Sequence, residues 1–258
     1  MNYAGAVEAI LQYISCRMEG AKRENLVVGI SGGIDSAVSA DLAIRAIGKE
    51  HVYGLWLPYE HSNSYWADLL SEHWDMNIQT IDITQQIHQY FRSISGPSWA
   101  EIKEQSYITR IGNKCARERM TVLYDMSEAR NALVLGTGNK TEAYLGYTTL
   151  WGDMACAFSP IGDLYKSEVW GLAEYLGLPQ EVIDRAPSAD LWDGQTDEGE
   201  LGITYADADQ IIQCLAEGKT LEGIDKDKVQ LISNIHEKTA FKRKMPDYIE
   251  LQQFRGVQ

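Results

Sequence analysis

Over the first 136 residues, short β-rich apolar runs alternate with helical stretches, and this alternation restricts the fold more than anything else in the chain. The runs fall at residues 25–30, 52–56, 78–83 and 132–136, and the helices at 3–19, 35–47, 65–74 and 100–129. In the first helix Val7, Ile10, Leu11 and Ile14 recur at helical spacing. In the last, Ala116, Met120, Leu123, Tyr124 and Ser127 share one side. Strands separated by helices pair in parallel through crossover connections. The runs are apolar on both faces, as a sheet covered on both sides requires. The expected fold class is α/β, a doubly wound, mostly parallel sheet with helices on both faces. A chain of 258 residues can bury a full core, and one domain over 1–258 is expected.

Beyond residue 145 the pattern changes. A helix at 165–176 carries Tyr165, Val169, Leu172 and Leu176 on one stripe, closed by Gly177 and Pro179. Residues 186–204 are polar and Gly/Pro-punctuated, with acids at Asp190, Asp193, Asp197, Glu198 and Glu200. They read either as a solvated loop or as a cover over a site. The tail from 205 reads as helical.

Charge and cysteine usage narrow the function classes. Lys and Arg number 23 against 37 Asp and Glu, a formal net charge of −14. That balance argues against a life on nucleic acid or anionic membrane, while leaving room for a local basic pocket. The four cysteines, Cys16, Cys115, Cys156 and Cys214, form no C-x-x-C pair and no zinc spacing. A reduced, cytoplasmic setting is expected. No apolar run approaches the roughly 18 residues of a membrane span.

The turn after the first strand, Gly29-Ile-Ser-Gly-Gly-Ile-Asp-Ser36, stands where open α/β sheets bind ligands. Small residues let the backbone close on an oxyanion, toward which the N–H groups of the turn and the helix start can point. Asp35 can cap the helix or hold a magnesium ion. A Walker A loop is excluded, because no lysine is present in the turn. Gly29-Ile-Ser31-Gly-Gly33 also matches the G-x-S-x-G elbow of α/β-hydrolases, with Ser31 as nucleophile and His236 as the distant histidine. An ordinary glycine-rich βα turn is the plain alternative. The turn also resembles the S-G-G-x-D-S loop of the ATP pyrophosphatases, which grip the β,γ-pyrophosphate of ATP, and meets all five defined positions.

Further blocks follow in order. They are Gly136-Thr-Gly-Asn-Lys-Thr-Glu142, Gly146-Tyr147, Gly152-Asp153 and Pro160-Ile-Gly-Asp-Leu-Tyr-Lys166, then Pro187-Ser-Ala-Asp-Leu191, Gly194-Gln-Thr-Asp-Glu198 and Leu201-Gly202. With the Ser31–Ser36 loop, this ordered set resembles ammonia-dependent NAD synthetase, an N-type ATP pyrophosphatase with an adenine nucleotide alpha hydrolase-like fold. The resemblance implies that ATP adenylates the nicotinate carboxylate of deamido-NAD and that ammonia displaces AMP. A site for such chemistry must neutralise phosphate charge and exclude water.

Carried over residue by residue, Gly29, Ser31, Gly32, Gly33 and Ser36 correspond to the pyrophosphate loop. Asp35 and Glu142 correspond to two magnesium-holding carboxylates, although Glu142 alone reads as a solvated helix residue. Thr137 and Ser188 correspond to ATP contacts. Lys166 corresponds to a phosphate-binding lysine, although alone it reads as a first-turn surface lysine. Asn113, Arg117 and Lys242 correspond to deamido-NAD contacts. Asp153 corresponds to a carboxylate beside the reacting carbonyl, placed to bind ammonium or take a proton. Arg119 reads as a surface charge.

The sequence departs from the family at Leu150 and Ala157, where many members have Lys and Asp, and at Phe241-Lys242 in place of a His-Lys pair. The expected co-substrates are ATP, deamido-NAD and ammonia, with Mg²⁺. No glutaminase domain, no nucleic acid and no membrane are expected, and the resemblance implies a homodimer. The rivals are another ATP pyrophosphatase-type ligase or thiolase, the Ser31 hydrolase, and a nucleotide sensor without turnover.

Overall fold

The chain was studied as a computed structural model, which describes residues 1–60, 63–95, 105–188, 194–246 and 248–250. After an N-terminal helix, Tyr3–Ala21 (α1), comes the strand Asn25–Gly29 (β1) and the helix Ile34–Ile47 (α2). Val52–Trp56 (β2), Tyr65–Trp74 (α3) and Ile78–Thr80 (β3) follow. Thr84–Ser95 (α4) and Gln105–Ala129 (α5) lead to Ala132–Val134 (β4). The strands pair in parallel in the order β3-β2-β1-β4, with Val27 opposite both Tyr53 and Val134.

Alternation along β1 explains the two covered faces. Leu26 and Val28 point to one side, where Ile14 and Met18 of α1, Val38 and Leu42 of α2, and Leu70 and Trp74 of α3 bury against them. Val27 points to the other, against Ile87 and Phe91 of α4 and Cys115, Met120 and Leu123 of α5. The sheet is doubly wound as expected. Its order fixes where a ligand can bind. The chain steps from β1 to β2 to β3 on one side and returns to the far side of β1 as β4. The crevice at the carboxyl ends of β1 and β4 is therefore the topological switch point.

The remaining helices are Lys140–Leu145 (α6), Lys166–Leu176 (α7), Gln180–Asp184 (α8), Asp197–Leu201 (α9), Tyr205–Glu217 (α10) and Lys226–Lys238 (α11). The α7 stripe of Tyr165, Val169, Leu172 and Leu176 is buried, and Gly177 caps the helix at φ 78°. A third apolar cluster joins Leu145, Leu201, Tyr205, Ile211, Ile212 and Ile232.

Several expectations need correction. α4 went unread, because glutamines separate its few apolar residues; Ile87 and Phe91, four apart, are buried, and the Asp82 carboxylate accepts the Thr84 N–H at 2.7 Å. β3 stops at Thr80, although Ile81 and Ile83 still donate backbone hydrogen bonds to Trp56 and Pro58. Tyr124 faces solvent, and Cys115 takes its place in the core. Residues 186–204 are not one loop, since Thr196 caps α9 within them. The tail is helical only through α11, followed by a single turn at Ala240–Arg243. Residues 100–104 of the predicted long helix, and Asp190 and Asp193, lie outside the described residues.

Candidate active site

The Ser31–Ser36 turn closes through its own hydroxyls. Ser31 Oγ accepts the Gly33 N–H at 3.1 Å, Ser36 Oγ donates to the Gly33 carbonyl at 2.8 Å, and the two hydroxyls are 3.2 Å apart. Gly32 holds the turn open at φ 76°, where a Cβ would lie 2.2 Å from that of Trp66. Gly33 precedes α2 without a side-chain cap, so Asp35 does not cap the helix. The Arg185 guanidinium reaches the Ser31 carbonyl at 3.3 Å and lies over the Trp66 ring. His236 does not serve Ser31; its Nδ1 pairs with the Tyr144 carbonyl at 2.9 Å, and its ring stacks on Tyr144. The hydrolase reading therefore lacks its base.

Asp35 turns across the crevice to the segment after β4. Asn139 Nδ2 donates to Asp35 Oδ1 at 2.8 Å, while Asn139 caps α6 reciprocally with Glu142. The Lys166 ammonium pairs with Asp35 and lies 3.4 Å from Glu142 Oε1. Lys166 is 1% exposed, so the surface-lysine reading is wrong; its ammonium lies 5.0 Å from the centre of the Tyr205 ring and 5.9 Å from that of Trp170. Burial works against this ammonium, but the Asp35 and Glu142 carboxylates outweigh it and hold its pKa above the ordinary lysine value. Burial, then the Asp35 charge, pushes Glu142 above the usual carboxylate range, against the pull of Lys166. Glu142 is no solvated helix residue.

Asp197 closes the rear of the cluster. It accepts from the Tyr205 hydroxyl at 3.0 Å, and the Tyr147 hydroxyl lies 3.2 Å away. Burial raises its pKa, against those hydroxyls and Lys166.

The substrate candidates converge on one loop, residues 146–153. Arg117 Nε donates to the Leu150 carbonyl at 3.1 Å. Lys242 Nζ donates to the carbonyls of Gly146 at 2.7 Å and Thr148 at 2.6 Å. Thr149 donates its hydroxyl to Asn113 Oδ1 at 2.7 Å and its N–H to Asp153 Oδ1 at 2.7 Å. Burial raises the Asp153 pKa despite that N–H and lowers that of Lys242 despite nearby Asp153. Trp151 adopts φ 60°, a strained value for a bulky residue. Beside this loop opens a cleft of about 540 Å³, lined by Leu145, Gly146, Tyr147, Glu200 and Ile235 among others. Arg119 is not a plain surface charge, since its Nε donates to the Leu57 carbonyl at 3.0 Å beyond β2.

The family model for NAD synthase matches residues 6–246 of this chain. The chain belongs to the NAD synthase family. Several relatives are matched along nearly their whole length. An NH3-dependent NAD+ synthetase of Fusobacterium nucleatum is 45% identical over 255 residues, with 95% of each chain covered. The structure of an NH3-dependent NAD synthetase from Campylobacter jejuni, in complex with nitrate ion, superposes with a TM-score of 0.79 at 34% identity, covering 97% of this chain and 100% of that one. An NMN synthetase from Francisella tularensis superposes with a TM-score of 0.85 at 30% identity, covering 97% and 100%.

Against this NAD synthase frame, Gly29, Ser31, Gly32, Gly33, Asp35, Ser36, Glu142 and Lys166 meet at the switch point, and Asn113, Arg117, Asp153 and Lys242 meet at the 146–153 loop. Thr137 lies at the carboxyl end of β4, on the same side of the sheet as Ser31. Ser188 is half-buried, three residues after Arg185. Sequence reasoning missed Arg185, Asn139 and Asp197. The capping pattern Asn139-x-x-Glu142 was available as a signal for the second. Asp197 was masked by four other acids nearby.

Proposed function

We propose that the chain amidates deamido-NAD with ammonia at the expense of ATP, giving NAD, AMP and pyrophosphate. The meeting of the Ser31–Ser36 turn with Asp35, Glu142 and Lys166 at the switch point carries this reading. The turn's N–H groups and hydroxyls hold the pyrophosphate, and Gly29, Gly32 and Gly33 leave the backbone open to it. Thr137 and Ser188 contact the nucleotide. Lys166 moves its charge from the two carboxylates to phosphate oxygens. Asp35 and Glu142 fit a magnesium ion, because both already turn carboxylate oxygens to one cation, the Lys166 ammonium. Among the described residues no group of three or more His, Cys, Asp or Glu gathers for a metal, which suits an ion that takes its other ligands from phosphate and water. Bound there, magnesium offsets the charge that the phosphates gather in the transition state.

A nicotinate carboxylate oxygen attacks the α-phosphorus, and pyrophosphate leaves with the electrons of the broken bond. Ammonia then attacks the carbonyl carbon, the carbon–oxygen bond to AMP breaks, and the nitrogen sheds a proton. Asp153 holds ammonium or receives that proton; its raised pKa suits a base that is itself buried. Asn113, Arg117 and Lys242 shape the 146–153 loop around the dinucleotide. The reading includes a homodimer, for which the exposed Tyr90, Ile94 and Tyr124 of α4 and α5 supply apolar surface, and a cytoplasmic setting. Among the described residues no helix is long and apolar enough to cross a membrane.

Product analysis tests it. Protein, ATP, Mg²⁺ and deamido-NAD are mixed with ammonium or with glutamine, and a parallel arm carries the deamido form of NMN. NAD and AMP in equal amounts from ammonium alone is the expected result. Faster amidation of the mononucleotide, or equal turnover of glutamine, overturns the substrate assignment.

A further inference from the structure

Asp209 lies on α10 and is used by neither step above, yet it is 2% exposed and ionisable. A buried carboxylate needs partners, and these are found at the start of α7. Asp209 Oδ2 accepts the Ser167 N–H at 2.7 Å, and Oδ1 accepts the Thr141 hydroxyl. The same Thr141 oxygen accepts the Lys166 N–H at 3.0 Å. Two of the donors that a helix N-terminus leaves unpaired are thus satisfied from outside α7, with a negative charge at the positive end of its dipole. The identity of the anchored residues matters most. Lys166 is the first residue of α7, and Thr141 is the neighbour of Glu142 on α6. One carboxylate therefore sets the backbone under both the lysine and the second carboxylate of the site.

We propose that Asp209 is a positioning residue for adenylation, acting through the Thr141 hydroxyl and the α7 amides to fix where Lys166 and Glu142 stand. The proposal rests on the phosphate and metal roles given to those two residues above. A lysine ammonium sits at the end of a long flexible stem, and misplacement of about 1 Å at a reacting group costs about 100-fold in rate. Fixing the stem's origin, while the Tyr205 and Trp170 rings face the ammonium at its other end, removes much of that freedom.

The test measures steady-state pyrophosphate release by the full chain with ATP, Mg²⁺, deamido-NAD and ammonium, for Asp209→Asn, Thr141→Val, Thr141→Ser, the Asp209→Asn/Thr141→Val double variant and Lys166→Met. Expected is a fall in kcat of about tenfold or more for Asp209→Asn and Thr141→Val, with KM for deamido-NAD within about twofold of wild type. Thr141→Ser keeps the hydroxyl and should stay within about threefold in kcat. The double variant should be no slower than the slower single one, because the two residues act as one unit. Wild-type kcat in a folded Asp209→Asn or Thr141→Val, or a Thr141→Ser as slow as Thr141→Val, overturns the proposal. A parallel rise in KM for deamido-NAD also overturns it, as general distortion. Should Asp209→Asn fail to fold, the Thr141→Val and Thr141→Ser comparison decides alone. Near wild-type release by Lys166→Met overturns the lysine's assigned role, and with it the basis of the proposal; loss in Lys166→Met with Asp209→Asn unaffected overturns the positioning role only.

Discussion

At the scale of the residue, Gly32 shows how narrowly the Ser31–Ser36 turn is specified. Its φ of 76° lies in the left-handed region, and a Cβ there would meet the Cβ of Trp66 at 2.2 Å and the Arg185 guanidinium at 2.9 Å. The guanidinium can swing away, but a Cβ cannot leave its backbone. Left-handed geometry alone costs an alanine about 1–2 kcal/mol. Gly32→Ala should therefore lower the unfolding free energy by at least that amount in urea titration and depress pyrophosphate release. An unchanged urea midpoint would refute this account of the turn. Gly32 was legible in the sequence as part of a motif. The burial of Lys166 was not, because a lysine in the first turn of a helix looks the same whether it faces water or two carboxylates folded in from Asp35, about 130 residues earlier, and from Glu142.

At the scale of the element, the helices and strands nearest the site were read most closely. β1, α2 and α7 were found within a residue or two, since each joins a strong apolar pattern to a glycine stop. α4 escaped for the opposite reason; its burial rests on Ile87 and Phe91 alone, amid polar neighbours. α9 escaped because its five residues, Asp197–Leu201, carry three acids that resemble a solvated loop. What fixes it is tertiary: the Tyr205 hydroxyl on Asp197 and the Tyr205 N–H on Glu198 at 2.7 Å. α1 docks through Ile14, which is fully buried against α2 and α7. Ile14→Ala should cost about 2–5 kcal/mol, read from the same urea titration. A loss below 1 kcal/mol would mean that α1 is not part of the core.

At the scale of the whole molecule, side-chain contacts tie the C-terminal helices to the layer that covers the sheet. Trp170 packs against both the first and the third apolar clusters, and Asp209 ties α10 to α7. Far-UV circular dichroism and tryptophan fluorescence should lose signal at the same denaturant concentration. An earlier transition in one probe would separate α10 and α11 as their own domain. The site loop enters the architecture in a second way. Downstream of Asp153, the Ala157 N–H donates to the Val134 carbonyl and the Gly136 N–H to that of Phe158, so the chain lies in parallel beside the outer edge of β4. Gly136 permits this closeness, since a Cβ there would lie 2.4 Å from the Cys156 sulfur. An uncovered strand edge invites another chain to pair with it. Residues 157 and 158, a few positions beyond Asp153, therefore cover the outer edge of β4. A lesion that loosens them would bare a row of backbone donors and acceptors on which a neighbouring chain could add a strand of its own.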